Sequence, residues 1–268
     1  MKKIHILLTA ALALCVSLTG CDKDKDSEGL TFVEYFPVFT DPDGNDLATA
    51  YVGLGESFTP TFKATMDGSD IASAVTVSIK SDITGETVEK VPTEEPGMFT
   101  VTFSAKTKTG LGTYNKTQQV IVYNPKITTN ISGVYTVDAD KTESQDLGGR
   151  IEPKDDKQKY VSYSKFFEFF GTSGPAEVKL TQIVPGFYTI SDAFAGWYAV
   201  VRGYGSQYEA KGYMALNEDN SITLVSSTTP WGDSIEPFEA TYDPETKSIT
   251  FAYNYVGAVD IKGVMSIQ

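Results

Sequence analysis

Between Leu30 and Tyr123 the apolar residues fall in short runs that alternate with polar ones, the two-residue period of a strand with one buried face. Val75, Val77 and Ile79 alternate, as do Phe99, Val101 and Phe103, and Val120 to Tyr123 reads as a short closing strand. Turn signals at Asp43-Gly44, Asp67-Gly68, Thr84-Gly85, Pro96-Gly97 and Thr109-Gly110 separate the runs. This spacing predicts a seven-strand sandwich over residues 30–126. Asn124 to Asn130 is polar and carries Pro125, which marks a boundary near residue 127 and predicts a short hinge there.

The pattern resumes over 127–268. Strands are predicted at Val134–Val137, Glu177–Ile183, Phe187–Ile190, Trp197–Val201, Tyr208–Leu216, Ile222–Val225, Phe238–Tyr242, Ile249–Tyr253 and Val259–Ile267. Turns fall at Pro185-Gly186, Glu218-Asp219-Asn220 and Asp243-Pro244, so the later strands are joined by short connections, as in an antiparallel meander closed into a barrel or folded as a sandwich. Lys141 to Lys159 is charged and glycine-bearing and predicts a long exposed loop. After Cys21 no stretch longer than about ten residues keeps apolar positions at helical spacing without glycine, proline or β-branched interruption, so this part of the chain reads as nearly all β.

The N-terminus follows a different pattern. Residues 1–20 begin with Lys2 and Lys3, continue in an apolar run from Ile4 to Leu18 and end in small residues, as a secretory signal does. Leu18-Thr19-Gly20-Cys21 resembles the bacterial lipobox, in which the cysteine is acylated and becomes the new N-terminus. Several acyl chains at ~0.8 kcal/mol per buried CH₂ anchor a protein without a transmembrane helix. Residues 21–29, with Asp22-Lys23-Asp24-Lys25-Asp26-Ser27-Glu28, carry no large apolar side chain before the fold begins and read as an acidic tether. An acidic tract after the lipid cysteine resembles the export signal of surface lipoproteins in the Bacteroidetes, although lysines alternate with the acids here.

Composition narrows the chemistry. His5 is the only histidine, and the two cysteines are Cys15 in the signal and Cys21 at its end. A mature chain without histidine or free thiol is excluded from Ser-His-Asp and Cys-His catalysis, imidazole or thiolate zinc sites, disulfides and haem ligation. Without Lys2 and Lys3 there are 20 basic residues against 35 acidic ones, a formal charge of −15. No nucleic-acid partner is expected, because phosphate neutralisation needs clustered Lys and Arg.

What remains is aromatic rings and carboxylates. Residues 127–268 hold 21 of the 32 aromatic residues. The dense part is Trp197-Tyr198, Arg202-Gly203-Tyr204-Gly205, Tyr208, Tyr213 and Trp231-Gly232-Asp233. Aromatic faces stack on sugar rings or hold peptide side chains, and Arg202 and Asp233 can orient polar groups, so Trp197, Tyr198, Arg202, Tyr204, Tyr208, Trp231 and Asp233 are the candidate ligand-binding residues. The competing reading is that the rings pack a β core and that Arg202 pairs with Asp192 or Asp233. Asp192, Glu209, Asp233, Glu236 and Glu239 are available for a carboxylate hydrolase, but no spacing singles out a pair, and no catalytic residue is assigned. Asp41-Pro42-Asp43-Gly44-Asn45-Asp46 is oxygen-rich but lacks the EF-hand spacing, so it reads as a polar turn and no metal is assigned. Gly203-Tyr204-Gly205 lacks the rest of a dinucleotide fingerprint, and no cofactor is implied. Asp233-Ser234-Ile235 matches the short pattern associated with O-glycosylation in Bacteroides, which would modify Ser234.

Two further resemblances bear on fold and setting. Pro96 to Ala105 with Gly110 and Val120-Ile121-Val122-Tyr123 resembles the last two strands of bacterial Ig-like modules of surface proteins, which implies an N-terminal Ig-like β-sandwich. Asp192 to Tyr198, Arg202 to Gly205, Leu216 to Asn220 and Trp231 to Ser234 are similar to the C-terminal domain of a family of Bacteroides surface lipoproteins that accompany outer-membrane transporter pairs of the SusC and SusD type. The resemblance supplies a setting and no activity; the N-terminal address together with the aromatic-rich distal domain leads to the expectation of an outer-membrane, surface-facing, non-catalytic accessory of nutrient uptake that binds glycan or peptide or docks on such an importer. The alternatives are a purely structural or interaction lipoprotein and a carboxylate-based glycoside hydrolase.

Overall fold

The computed structural model describes residues 34–146, 150–151, 159–233, 235–257 and 259–268. The signal, Cys21, the tether and Ser234 lie outside the described residues. The chain is nearly all β, as its alternation predicts.

Among the described residues the first unit has eight strands, where seven were expected, in two sheets. β1 (Val38–Thr40), β3 (Lys63–Met66) and β4 (Ser69–Asp70) form a small antiparallel sheet. The larger sheet contains β2 (Ala50–Gly53), β5 (Thr76–Ser81), β6 (Thr87–Val88), β7 (Gly97–Lys106) and β8 (Thr113–Tyr123), in the order β2-β8-β7-β5-β6. β2 runs parallel to β8 and the other neighbours are antiparallel. Phe39 and Ala64 meet Ile79, Val101, Phe103, Val120 and Val122 in the core between the sheets. Gly44, Gly68, Gly85 and Gly110 take positive φ in their predicted turns, but Gly97 opens β7 and the Pro96-Gly97 signal does not make one. Val77 is exposed although it shares the Ile79 alternation.

The second unit is a closed barrel. β9 (Gly133–Val137), β12 (Glu177–Val184), β13 (Phe187–Ile190), β14 (Lys211–Leu216), β15 (Ser221–Thr228), β16 (Phe238–Asp243), β17 (Ser248–Tyr255) and β18 (Val259–Ile267) form an antiparallel series. Met265, Ser266 and Ile267 of β18 pair with Val137, Thr136 and Tyr135 of β9 and close it. Further back along β18, Ile261 and Lys262 pair with β10 (Glu143–Gln145), which pairs in turn with β11 (Tyr160–Ser162). The stretch predicted as a wholly exposed loop therefore begins with a strand and buries Thr142, Ser144 and Asp146. Eight strands leave an interior that side chains can fill, and here large rings fill it: Tyr135, Tyr163, Tyr188 and Phe194 are fully buried. The hydroxyls of Tyr135, Tyr188 and Tyr253 take backbone partners, Tyr135 donating to the Ile131 carbonyl (2.9 Å), Tyr188 to that of Thr129 (3.0 Å) and Tyr253 to that of Phe194 (2.8 Å).

One helix was not legible as such. α1 (Tyr163–Phe170) places Tyr163, Phe166, Phe167 and Phe170 at i, i+3, i+4 and i+7, buries Tyr163 and Phe166, and stops at Gly171 in the left-handed region. Among the described residues no helix is long and apolar enough to cross a membrane.

The expected hinge is a packed seam. Met98 and Ile121 point away from the sandwich core and bury against Phe187, Ala215 and Val225, which face outward from the barrel. The connecting residues Ile127 and Ile131 join the barrel's apolar cluster, and Asn124 Nδ2 donates to Glu218 Oε1 at 3.0 Å.

Candidate functional site

The segment between β13 and β14, residues 191–210, carries most of the candidate residues and crosses the end of the barrel opposite the Pro185-Gly186 turn. Asp192 organises it. Its Oδ1 accepts the backbone N–H groups of Phe194 and Ala210 and its Oδ2 that of Gly196, each at 2.9 Å. Burial pushes this carboxyl up to about 6 despite the three donors. Gly196 then turns the chain at φ +79, where any Cβ would collide with Ala176.

Trp197–Val201, predicted as a strand, is one turn of π-helix: Val201 and Arg202 N–H donate to the Gly196 and Trp197 carbonyls at 3.0 and 2.9 Å. The β-branched and aromatic composition that suggested a strand is overridden by the Asp192 bonds and the Gly196 turn that feed the helix. This turn separates neighbours. Trp197 points inward, 3% exposed, against Tyr163 (5.5 Å) and edge-on to Phe166 (4.9 Å), and is therefore a core residue instead of a ligand-facing one. Tyr198 and Arg202 point outward.

The outward residues converge. Tyr198 meets Trp231 edge-on at 4.8 Å, Trp231 meets Tyr208 at 5.6 Å, Tyr208 meets Tyr204 at 5.2 Å, and Tyr204 stacks with Tyr198 at 6.3 Å. Trp231, on the loop after β15, is 47% exposed and Tyr204 is 40% exposed. Burial pushes the Tyr198 hydroxyl up to about 12, with Tyr255 adding to the shift and Arg202 opposing it. Arg202 Nη2 donates to the Tyr204 hydroxyl at 2.8 Å, and its guanidinium lies 4.8 Å over the Phe170 ring. Among the described residues it forms no ion pair, so the expected structural partners Asp192 and Asp233 are not its partners. Asp233 is exposed and instead accepts the Tyr255 hydroxyl at 2.8 Å. Thr229 ties its loop, accepting the Asp233 N–H and donating to the Asp233 carbonyl, both at 3.0 Å.

Phe170 beside this patch and the buried Phe194 and Tyr255 beneath it touch its residues and were not among the expected ones. Phe170 is the last position of the aromatic i, i+3, i+4, i+7 series, a signal the sequence does carry; Phe194 lies in the 191–210 segment itself, four residues before Tyr198, and Tyr255 comes from the end of β17, which only the closed barrel brings here. The surface is an open platform of rings. Grooves of about 360 and 420 Å³ lie elsewhere, on the outer wall around Thr250 and Lys262 and around Thr189 and Lys211.

The other candidates resolve simply. Asp41 Oδ1 accepts the N–H groups of Asp43 and Asn45 and its Oδ2 the Asn45 amide, which makes the oxygen-rich stretch a self-bonded turn. Gly203 and Gly205 both take positive φ where the π-helix ends, and the three-residue turn Ser206–Tyr208 follows. Among the described residues no three His, Cys, Asp or Glu side chains are grouped to hold a metal.

Fold and surface together define an eight-stranded antiparallel barrel, capped by a ring-lined end and carried on a small β-sandwich. Residues 124–265, more than half of the chain, match the family model described as "-like, C-terminal domain", and the chain belongs to that family. It is similar to the lipoprotein BT2262 from Bacteroides thetaiotaomicron, at 25% identity and a TM-score of 0.39, over 86% of this chain and 100% of that one. A quinonprotein alcohol dehydrogenase-like protein (BT1487) from Bacteroides thetaiotaomicron VPI-5482 is 9% identical, with a TM-score of 0.23, over 86% of this chain and 70% of that one. No curated protein matches the chain.

Proposed function

We propose that the protein is a lipid-anchored, surface-facing accessory of the outer membrane that binds a glycan or peptide, without catalysing a reaction, and serves a SusC/SusD-type importer. The lipobox at Leu18 to Cys21 supports the anchor. The platform of Tyr198, Tyr204, Tyr208 and Trp231 supports the binding role and carries the reading: rings held in place from below yet open above cost little further order on binding. Arg202, fixed on Phe170 and Tyr204, keeps guanidinium donors for a ligand hydroxyl or carboxylate. A hydrolase would need two carboxylates facing the substrate, whereas Asp192 is buried with both oxygens committed to backbone N–H groups.

Glycan and peptide arrays followed by calorimetry on the chain from Asp22 onward test this. Trp231→Ala is expected to weaken binding about tenfold or more, as loss of a central ring does. Absence of any array ligand together with failure to co-purify with an importer would overturn the reading. The packed barrel interior favours one second reading, a structural lipoprotein whose platform docks on another protein, and importer co-purification without an array ligand would select it.

A further inference from the structure

The sandwich also exposes apolar side chains, at the end of β7 and β8 remote from the seam. Leu111, in the turn between these strands, is 85% exposed, Phe36 57% and Tyr114 39%. The Phe36 and Tyr114 rings meet edge-on at 6.1 Å, and Lys108 lies 4.5 Å over the Tyr35 ring. This is also where the chain enters the fold: Lys108 N–H donates to the Tyr35 carbonyl at 3.1 Å, and the Thr109 hydroxyl donates to Glu34 at 2.7 Å. Cys21 precedes Glu34 by 13 residues, a contour of at most about 45 Å at ~3.5 Å per residue whatever their path. From the seam at Met98 to the tip at Lys106, β7 spans roughly 27 Å.

We infer that this tip, Phe36, Leu111 and Tyr114 with Lys108 beside them, rests on the lipid bilayer to which Cys21 anchors the chain. Exposed rings and a leucine next to a lysine suit the headgroup boundary, where the apolar parts leave water and the ammonium stays in it. The tether keeps this end within about 45 Å of its anchor, so even shallow insertion is intramolecular and needs little affinity of its own. The sandwich would then stand on the membrane by its tip, with its seam and the barrel farther out.

The inference rests on the anchoring proposed above, and the test supplies its own anchor. The chain from Asp22, carrying an N-terminal hexahistidine, is held on phosphatidylcholine vesicles containing a nickel-chelating lipid. It has no other thiol, so Leu111→Cys and, separately, Val256→Cys take an environment-sensitive nitrobenzoxadiazole label. Val256, 59% exposed beside Tyr255 of the platform, is the control. The label at 111 is expected to shift to the blue and brighten several-fold on the vesicles, with the label at 256 unchanged and the response at 111 reduced by Phe36→Asp. A label at 111 that stays aqueous, or an equal response at both positions, overturns the inference. Shielding of position 111 on intact cells but not on vesicles would assign the tip to a protein partner and overturn it as well. Acylation of Cys21 is read separately from the mass of the mature N-terminus, so failure of the anchor and failure of the tip are distinguishable.

Discussion

Trp197 and Trp231 sit in the same aromatic-rich unit and have opposite fates. The first is locked beneath the platform against Tyr163 and Phe166, and the second stands half out of the surface on Tyr198 and Tyr208. The difference shows that aromatic enrichment in the barrel has two separate causes. Most rings replace a lumen that eight strands can only just enclose, and a few, carried on the 191–210 and 229–233 segments, stay partly exposed at the barrel's end.

The sharpest way to break this comparison is to remove each ring. Trp197→Ala is expected to cost about 3–5 kcal/mol, as deletion of a buried tryptophan does, and Trp231→Ala at most about 1 kcal/mol, both read from urea unfolding. Equal losses would erase the distinction between core and platform. Next in size, Asp192→Ala strips the N–H groups of Phe194, Gly196 and Ala210 of their acceptor, at about 1–3 kcal/mol for a buried orphan donor. It is also expected to raise acrylamide quenching of Trp197, because the turn that buries it is released.

A smaller effect is pH-dependent. The Asp192 carboxyl is raised to about 6 in the fold from an ordinary 3.8. Its protonated form therefore favours the folded state: this contribution is complete below the unfolded value and is lost as pH rises through about 6. The rise from 3.8 to about 6 bounds the contribution at about 3 kcal/mol. Unfolding at pH 4.5 and 7.5 should show wild type losing stability relative to Asp192→Asn as pH rises; an unchanged difference would mean the carboxyl is not raised. Smallest is the spectroscopic contrast: with Trp197 replaced by Phe, acrylamide should quench the remaining Trp231 readily, and with Trp231 replaced by Phe it should quench Trp197 weakly.

Much of the strand pattern could be read directly. Phe187–Ile190 and Val259–Ile267 keep their predicted limits, and β12, β16 and β17 extend theirs by one to three residues, because alternation registers which face is buried. The misread elements are those where composition and environment conflict. Trp197–Val201 has strand composition and coils because Gly196 and Asp192 set its entry; Tyr163–Phe170 is short enough for its helical period to be overlooked. At the site, Tyr198, Arg202, Tyr204, Tyr208 and Trp231 were legible as a cluster in the chain. Phe194 lies four residues before Tyr198 but does not stand out from the chain as part of it, and Phe170 and Tyr255 come from separate segments that only the fold brings to it.

The sequence by itself determined the lipobox-like Leu18-Thr19-Gly20-Cys21, the all-β alternation and an inventory whose one histidine, His5, lies in the signal-like segment. These are properties of residue type and spacing. Closure of β18 on β9, the burial of Phe187, Ala215 and Val225 under the sandwich, and the choice of which tryptophan faces water were decided only by the tertiary structure. Each depends on pairing residues far apart in the chain, whose burial is settled by what packs against them and not by their own preferences.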